Sequence, residues 1–379
     1  MGDKYPVVKV AAVQAASVFL DREGSTEKAC RLILEAGRNG ARVIAFPEGF
    51  IPAHPVWYHH HPATSAIANR LATELFKNSV EIPGPDIDAL CAAAREVNAY
   101  VVMGVCEKLP RTIGTMFNTQ VFIGPDGKLL GKHQKLMPTV GERLVHMGGF
   151  GDTLGAVQTE FGPISGLICG ENSNPLAIFA LTAEATRIHV MSWPNHFPAS
   201  GDPMRNRVAI DSQAFAQMSK AYVVSACGTV DKDTIRKLDV GPDGEKFLRD
   251  PDRCGGSVIV SPASRIIAGP MGAEEGILYA ECDIEIGIRM KLRHDFAGHY
   301  NRPDIFQLTV NKAVPPIYTV HGMNEQFALP PVQSATSSPA LGASRALPGT
   351  SRQSASPPLK IAAPARVKRE RKKKKQVRG

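Results

Sequence analysis

The chain lacks the features of secreted, membrane-spanning and zinc-module proteins. Its seven cysteines are scattered and no two form a Cys-x-x-Cys pair, which argues against a disulfide framework and a zinc module. No stretch approaches the ~20 apolar residues of a membrane span, and the N-terminus has no apolar segment of signal-peptide length. We therefore expect a protein of a reducing, cytoplasmic compartment that does not enter a membrane.

The net charge of +8 belongs to the end of the chain. From Arg366 to Gly379 there are nine Lys/Arg against one Glu, so residues 1–365 have no net charge. The basic tail has no aromatic side chains to stack on bases, which argues against a specific nucleic-acid partner. Since Pro, Ser, Ala and Thr dominate after about Leu329, we predict a folded domain over 1–310 and a disordered extension over 311–379.

Hydrophobic patterning predicts a mixed sheet with helices packed on it. An apolar run predicts a first buried strand at Val7–Gln14, and two strands around Gly124-Pro-Asp-Gly127 predict a hairpin. Other strands alternate with stretches of helical spacing, and a polar loop is expected at about 231–253. This mixture favours an α+β or α/β fold over an all-β barrel.

Three ionisable residues end three separate runs that we predict to be buried. Glu48 follows Val43-Ile-Ala-Phe-Pro, Lys135 follows the second hairpin strand, and Cys169 follows Ile164 to Ile168. Taken singly, each has an ordinary explanation: a helix-start carboxylate, a solvated loop lysine and a buried structural cysteine. Because residues just beyond strand ends gather at one sheet edge, we expect the three to converge. Together they supply a nucleophile, a base and a cation for developing negative charge.

The residue after Cys169 is a glycine, and helical spacing begins at Pro175. We therefore expect a tight turn through Gly170 that holds the thiol toward a cleft. Backbone N–H groups at the start of the following helix would point at the sulfur and favour the thiolate.

The His59-His-His61 run, with His54 nearby, is a candidate metal site. Adjacent histidines on an extended segment point in alternating directions, so one segment presents at most two to a single ion. We favour a position at a pocket rim or interface and predict no metal or cofactor. The run Gly148-Gly-Phe-Gly151 does not follow a strand and lacks the spacing of a phosphate-binding loop.

Three motifs, Phe46-Pro-Glu48, Lys135-Leu-Met-Pro-Thr139 and Cys169-Gly-Glu-Asn172, resemble in order and spacing the signatures of the carbon–nitrogen hydrolase (nitrilase) superfamily. The resemblance runs from about Val7 to Leu308. It implies an α-β-β-α sandwich, a catalytic triad of the Glu, Lys and Cys that these motifs carry, and no cofactor. It also implies a second catalytic glutamate, matched here by Glu142.

Within the superfamily the chain resembles the nitrilase branch. Glu171, two residues after the cysteine, and the stretch His294–Asp304 are similar to that branch, and Pro55-Val-Trp57 resembles the loop that lines its pocket mouth. Two departures fall where the substrate is expected: Gly170 stands where nitrilases usually carry an aromatic residue, and Val145–Asp152 replaces a Trp-containing segment. Aliphatic, aromatic and arylacetic nitriles therefore stay open as substrates. We expect substrate contacts from Trp57, Tyr58, Gly170, Asn172, Trp193 and Pro194.

The resemblance implies hydrolysis of a small-molecule nitrile to the carboxylic acid and ammonia through a thioimidate on Cys169, with Glu48 as base and Lys135 stabilising negative charge. It also implies homodimers that can extend into a spiral homo-oligomer. Three alternatives stay open: an amidase of the same superfamily, nitrile hydration with the amide as main product, and a vestigial hydrolase domain that binds a partner through its basic tail.

Overall fold

Two six-stranded sheets pack face to face in the computed structural model, which describes residues 2–197 and 201–316. The strands are β1 (Val7–Gln14), β2 (Val43–Ala45), β3 (Tyr100–Lys108), β4 (Met116–Ile123), β5 (Leu129–Gln134), β6 (Ala156–Val157), β7 (Ile164–Ile168), β8 (Ile188–Trp193), β9 (Tyr222–Cys227), β10 (Val258–Val260), β11 (Ile266–Ala268) and β12 (Gly276–Asp283). The helices are α1 (Arg22–Arg38), α2 (Ala66–Asn78), α3 (Pro85–Glu96), α4 (Pro175–Ala183), α5 (Met204–Ser219), α6 (Lys232–Leu238), α7 (Gly241–Leu248) and α8 (Ile284–Lys291).

Both sheets are mixed, as the sequence predicted. The first has the order β12-β1-β2-β3-β4-β5 and the second β11-β10-β9-β8-β7-β6. In each, three central strands run parallel and the outer strands are antiparallel. Residue 48 follows the carboxyl end of the parallel strand β2, and residue 169 follows the carboxyl end of the parallel strand β7. Such strand ends are where α/β sheets place functional groups.

The alternation of side chains along each strand divides the core into layers. Val102 of β3 points between the sheets, where it joins a buried cluster with Val190 and Val224 of the second sheet. Its neighbours on β3 point outward, onto a cluster that includes residues of α1 and α3. A third cluster joins α4 and α5 to the outer face of the second sheet. The order of layers is α-β-β-α, which confirms the expected sandwich.

The segment at 231–253 is not the predicted loop: it contains α6 and α7. Asp231 caps α6 by accepting a hydrogen bond from the Thr234 N–H at 2.7 Å, and Pro242 lies in the first turn of α7. An N-cap Asp and a Pro in the first turn are ordinary helix-start signals. The loop was predicted because two helices this short show little apolar periodicity. None of the described helices is both long and apolar enough to cross a membrane. Most of the predicted C-terminal extension, 317–379, lies outside the described residues.

Candidate active site

Glu48 is fixed just beyond the end of β2 by contacts to both sheets. Its backbone N–H donates to the carbonyl oxygen of Trp193 in the second sheet at 3.0 Å. In the first sheet, Gly104 of β3 packs directly against the same turn, and a Cβ at that position would overlap the carbonyl oxygen of Pro47. The carboxyl group of Glu48 is fully buried as a result.

Lys135 lies between two carboxylates. Its Nζ is 2.7 Å from Glu48 Oε1 and 2.6 Å from Glu142 Oε2, and its side chain is 1% exposed. Asn118 Nδ2 donates to the same two glutamates, at 2.6 Å to Glu48 Oε1 and at 2.7 Å to Glu142 Oε1. The four side chains form a closed, buried ring of hydrogen bonds, an arrangement in which each bond polarises the next.

Glu142 occupies a short 3₁₀ helix, Val140–Leu144, and has two further contacts. Its Oε2 accepts the backbone N–H of Thr139 at 2.9 Å, and His146 Nδ1 lies 3.1 Å from Oε1. Neither Asn118 nor His146 was predicted from the sequence. Asn118 could have been suspected because it is a polar residue within the buried strand β4. The indication for His146 was weaker: it lies four residues after Glu142, a spacing that brings side chains together on a helix.

Cys169 makes the sharp turn after β7 itself. Its φ is +52°, a left-handed conformation that is uncommon for residues other than glycine, and it begins a 3₁₀ helix, Cys169–Ser173. The turn that we expected at Gly170 therefore falls one residue earlier. Asn172 Nδ2 donates to the Cys169 carbonyl oxygen at 2.9 Å and stabilises this conformation.

The buried Cys169 thiol lies within electrostatic range of the ring. Burial raises the pKa of the thiol well above its usual value; Glu48 raises it further, whereas Lys135 lowers it. The Gly170 N–H also lowers the pKa, as expected for the start of a helix, but burial outweighs it. The N–H of the turn therefore acts on the thiol in the expected direction, but the net rise in pKa means that the thiol needs a base to react.

The two glutamates of the ring differ in proton affinity. Burial raises the pKa of Glu48 to about 7, although Lys135 opposes it. Burial acts on Glu142 in the same direction, but there Lys135 and the neighbouring His146 hold the pKa well below its usual range. Burial also opposes the charge of Lys135, yet Glu48 and the other negative groups raise its pKa well above the usual value. Of the three ionisable groups in the ring, Glu48 is thus the one whose pKa lies near neutral pH, whereas Lys135 stays a cation and Glu142 an anion.

Of the expected substrate contacts, Tyr58 and Gly170 lie beside the ring and the thiol. The Tyr58 hydroxyl is 2.9 Å from His54 Nε2, and His54 Nδ1 is 3.6 Å from Glu48 Oε1. Burial lowers the pKa of His54 to about 3 and raises the pKa of Tyr58 well above 10, so both are neutral near pH 7. Gly170 is exposed, and a Cβ there would lie 3.6 Å from Thr139 Oγ1.

The other four expected contacts are buried in the surrounding structure. Trp57 packs in an apolar cluster with residues of α2, and Trp193 packs edge-to-face on Phe197. Asn172 bonds to the Leu167 and Cys169 carbonyl oxygens through Nδ2, and its Oδ1 lies 2.9 Å from His189 Nε2. Pro194 accepts a hydrogen bond from the Gly228 N–H at 3.2 Å. These residues support the walls of the site.

The histidine run packs against other rings. His59 and His60 each lie 5.6 Å from the ring of His196, centroid to centroid, and His60 also contacts Phe247. In the part of the chain that the structure describes, a single group of three side chains brings ligand atoms close enough for one metal ion: Glu48, His54 and Glu142. The ammonium of Lys135 already supplies a cation to both of those carboxylates.

A sequence profile described as carbon-nitrogen hydrolase matches residues 9–289. The chain belongs to the carbon–nitrogen hydrolase family. Its relatives in this family include Nitrilase 2 from an unknown prokaryotic organism, 36% identical over 309 residues that cover 82% of this chain and 94% of that protein. Another is the arylacetonitrilase of Aspergillus kawachii, 33% identical over 81% of this chain and 93% of that protein. The three motifs predicted the superfamily, and the relatives place the chain in the nitrilase branch, as Glu171 and the stretch His294–Asp304 predicted.

Solved structures of this family have the same fold. A carbon-nitrogen hydrolase from Helicobacter pylori superposes with a TM-score of 0.60 at 17% identity, over 79% of this chain and 97% of that chain. An amidase from Nesterenkonia sp. superposes with a TM-score of 0.52 at 18% identity, over 76% of this chain and 96% of that chain. At these identities the likeness concerns the fold alone.

Proposed function

We propose that this chain is a nitrilase that hydrolyses an organic nitrile to the carboxylic acid and ammonia through a covalent intermediate on Cys169. The observation that carries the proposal is the buried ring of Glu48, Lys135 and Glu142 beside a thiol at a sharp strand end. The relatives named as nitrilases, which this chain matches over most of its length, support the same activity.

The first step forms the carbon–sulfur bond. Glu48, whose pKa of about 7 suits a general base, takes the thiol proton as sulfur attacks the nitrile carbon. One π bond of the nitrile breaks and its electron pair moves to nitrogen, where the Lys135 ammonium stabilises the charge. The proton on Glu48 then passes to nitrogen, and the product of the step is a neutral thioimidate.

Two molecules of water complete the reaction. The first, deprotonated by Glu48, adds to the thioimidate carbon, and the proton on Glu48 passes to the nitrogen. The new hydroxyl group then gives its proton to the nitrogen as the carbon–nitrogen bond breaks, so that ammonia leaves and a thioester remains. The second attacks the thioester carbonyl, releases the carboxylic acid and returns the thiol. Lys135 stabilises the negative oxygen of each tetrahedral intermediate, and Glu142 holds the ammonium in place through its 2.6 Å contact.

A cysteine substitution tests the proposal. We expect Cys169→Ala to abolish ammonia release from a panel of aliphatic, aromatic and arylacetic nitriles while leaving the circular dichroism spectrum unchanged. The matched control is Cys282→Ala, which removes another buried free thiol on β12 and is expected to retain turnover. Ammonia release from nitriles by Cys169→Ala at a rate comparable to wild type would refute the mechanism. Assaying amides and analysing the products in parallel distinguishes an amidase or a hydratase.

We place catalysis in the domain over 1–310, because the four proposed catalytic residues lie between positions 48 and 169. A chain ending at residue 329 is expected to keep its activity, whereas a protein that works only through its basic tail would lose its function. The free state of all seven cysteines fits the reducing, cytoplasmic location that we propose.

We further propose a homodimer that can extend into a spiral homo-oligomer. Three large apolar side chains beside a cavity of about 670 Å³ support association of two copies: Leu176 is 62%, Met218 37% and Phe306 72% exposed. Light scattering measures the mass of the particle, and Leu176→Asp is expected to shift it to the monomer. An unchanged mass would contradict this face as the interface.

A further inference from the structure

We infer that Glu171 is a positioning residue that joins the backbone carrying Lys135 to the backbone carrying Cys169. Its Oε1 accepts the N–H of Leu136 at 2.6 Å, and its Oε2 accepts the N–H of Ile168 at 3.0 Å. Leu136 directly follows Lys135, and Ile168 directly precedes Cys169. One carboxylate thus contacts the chain next to the proposed cation and next to the proposed nucleophile.

The two segments that Glu171 joins come from different sheets. Lys135 follows β5 at the edge of the first sheet, and Cys169 follows β7 in the second, so no strand pairing fixes their distance. A third contact strengthens the connection, since His133 Nε2 on β5 lies 3.1 Å from Glu171 Oε2. The Glu171 side chain is 4% exposed, and its hydrogen bonds are therefore shielded from water.

Both terminal atoms of the side chain at position 171 must accept a hydrogen bond. Two backbone N–H donors face the two oxygens of Glu171, and a carboxylate accepts on both. Glutamine has the same size but places an NH₂ group against one of these donors, which leaves a buried N–H unpaired. The hydrogen bond to the Ile168 N–H joins residues only three positions apart, so it also caps the start of the 3₁₀ helix Cys169–Ser173. The bond to Leu136 spans 35 positions and has no such local use.

The inference rests on the proposed function, because it concerns the step in which Lys135 and Cys169 act on one substrate. Attack on a nitrile needs sulfur at the carbon and the ammonium near the nitrogen at the same time. A misplacement of about 1 Å costs about 100-fold in rate. Glu171→Gln is therefore expected to lower kcat about 100-fold while KM changes less than about threefold, since the pocket walls stay in place.

Alkylation of Cys169 by iodoacetamide separates positioning from general damage. This reaction uses the thiol and its base but develops no negative charge on a nitrile nitrogen, so Glu171→Gln is expected to keep its rate within about threefold of wild type. The matched control is Glu184→Gln, which also removes a carboxylate that accepts a backbone N–H, that of Ala156 at 2.8 Å, away from the site. Its kcat is expected to stay at the wild-type value.

A crystal structure of full-length Glu171→Gln gives a readout independent of activity. We expect the distance between Lys135 Nζ and Cys169 Sγ to change from that in the wild-type crystal. An unchanged distance would overturn the inference, as would a kcat within about threefold of wild type or an equal loss of kcat and alkylation rate. If wild-type protein does not hydrolyse nitriles, the proposed function fails, whereas the distance comparison still tests the positioning role.

Discussion

Glu48 and Glu142 share two hydrogen-bond donors, Lys135 Nζ and Asn118 Nδ2, yet the pKa values of their carboxyl groups shift in opposite directions. The difference in pKa comes from the contacts that the two carboxyl groups do not share. Glu142 also accepts the Thr139 N–H and lies beside His146, whereas Glu48 Oε2 has no hydrogen-bond partner among the described residues. The glutamate with fewer donors is the one that can take a proton near pH 7.

The pH dependence of kcat/KM follows from this difference. Glu48 acts as a base only when deprotonated, so kcat/KM is expected to fall as the pH drops below about 7. The charge of Glu142 raises the pKa of Glu48, so Glu142→Gln is expected to move this acid limb to lower pH, along with a loss of rate. Initial rates measured from pH 5 to 9 give the position of the acid limb of the pH–rate profile in wild type and in Glu142→Gln. An acid limb at the same pH in both proteins would contradict the assignment.

Replacing Lys135 is expected to cost stability as well as activity. Lys135→Met leaves two carboxylates buried without their cation, which typically lowers the free energy of unfolding by about 3–5 kcal/mol. The loss is expected to be larger at pH 8 than at pH 5, because removing Lys135 raises the pKa of Glu48 further. At pH 5 this buried carboxyl group is then neutral, whereas at pH 8 it must either stay charged without its cation or bind a proton at a cost. Urea denaturation at both pH values measures the difference.

Lys128→Met is the control for that experiment. Lys128 pairs with Asp126 at the exposed hairpin turn, where its side chain is 78% exposed, so its loss is expected to leave the stability nearly unchanged. A Lys135→Met protein as stable as Lys128→Met at pH 8 would show that the buried ring does not depend on its cation.

A single methyl group on β3 is expected to disturb the proposed base. A Cβ at Gly104 would overlap the carbonyl oxygen of Pro47 and approach the Glu48 Cα to 3.0 Å, and neither backbone atom moves cheaply. Gly104→Ala is therefore expected to displace Glu48 and to lower kcat by about 100-fold, the cost of a misplacement of about 1 Å.

Gly131→Ala is the matched control for this substitution. Gly131 lies on β5, and a Cβ there would lie 3.6 Å from Val157 Cγ1, an ordinary contact. Its kcat is expected to equal that of wild type. If both variants retained full activity, the packing of Gly104 would not control the position of Glu48.

The sequence predicted the parts of the site that follow strand ends. Glu48, Lys135 and Cys169 each stand just beyond a predicted strand. Glu48 and Cys169 follow the parallel strands β2 and β7, whereas Lys135 follows β5, which pairs antiparallel with β4. The strand Val7–Gln14 was predicted to the residue, because continuous apolar runs mark strands buried on both faces.

The features of the site that were not predicted depend on contacts between segments distant in sequence. Asn118 closes the ring only because β4 pairs with β3 and β5 and brings its side chain under Glu48 and Glu142. The raised pKa of Cys169 depends on its burial in the folded chain, which outweighs the local effect of the turn. Residue propensities and sequence spacing do not directly report the pairing of distant strands or the burial of a thiol.

The proposed nucleophile belongs to one sheet and its base and cation to the other. Turnover therefore needs the two sheets docked, and sheets formed separately would hold every reactive side chain without forming a site. During refolding, recovery of ammonia production is thus expected to report the docking of the layers and to come no earlier than the appearance of β structure.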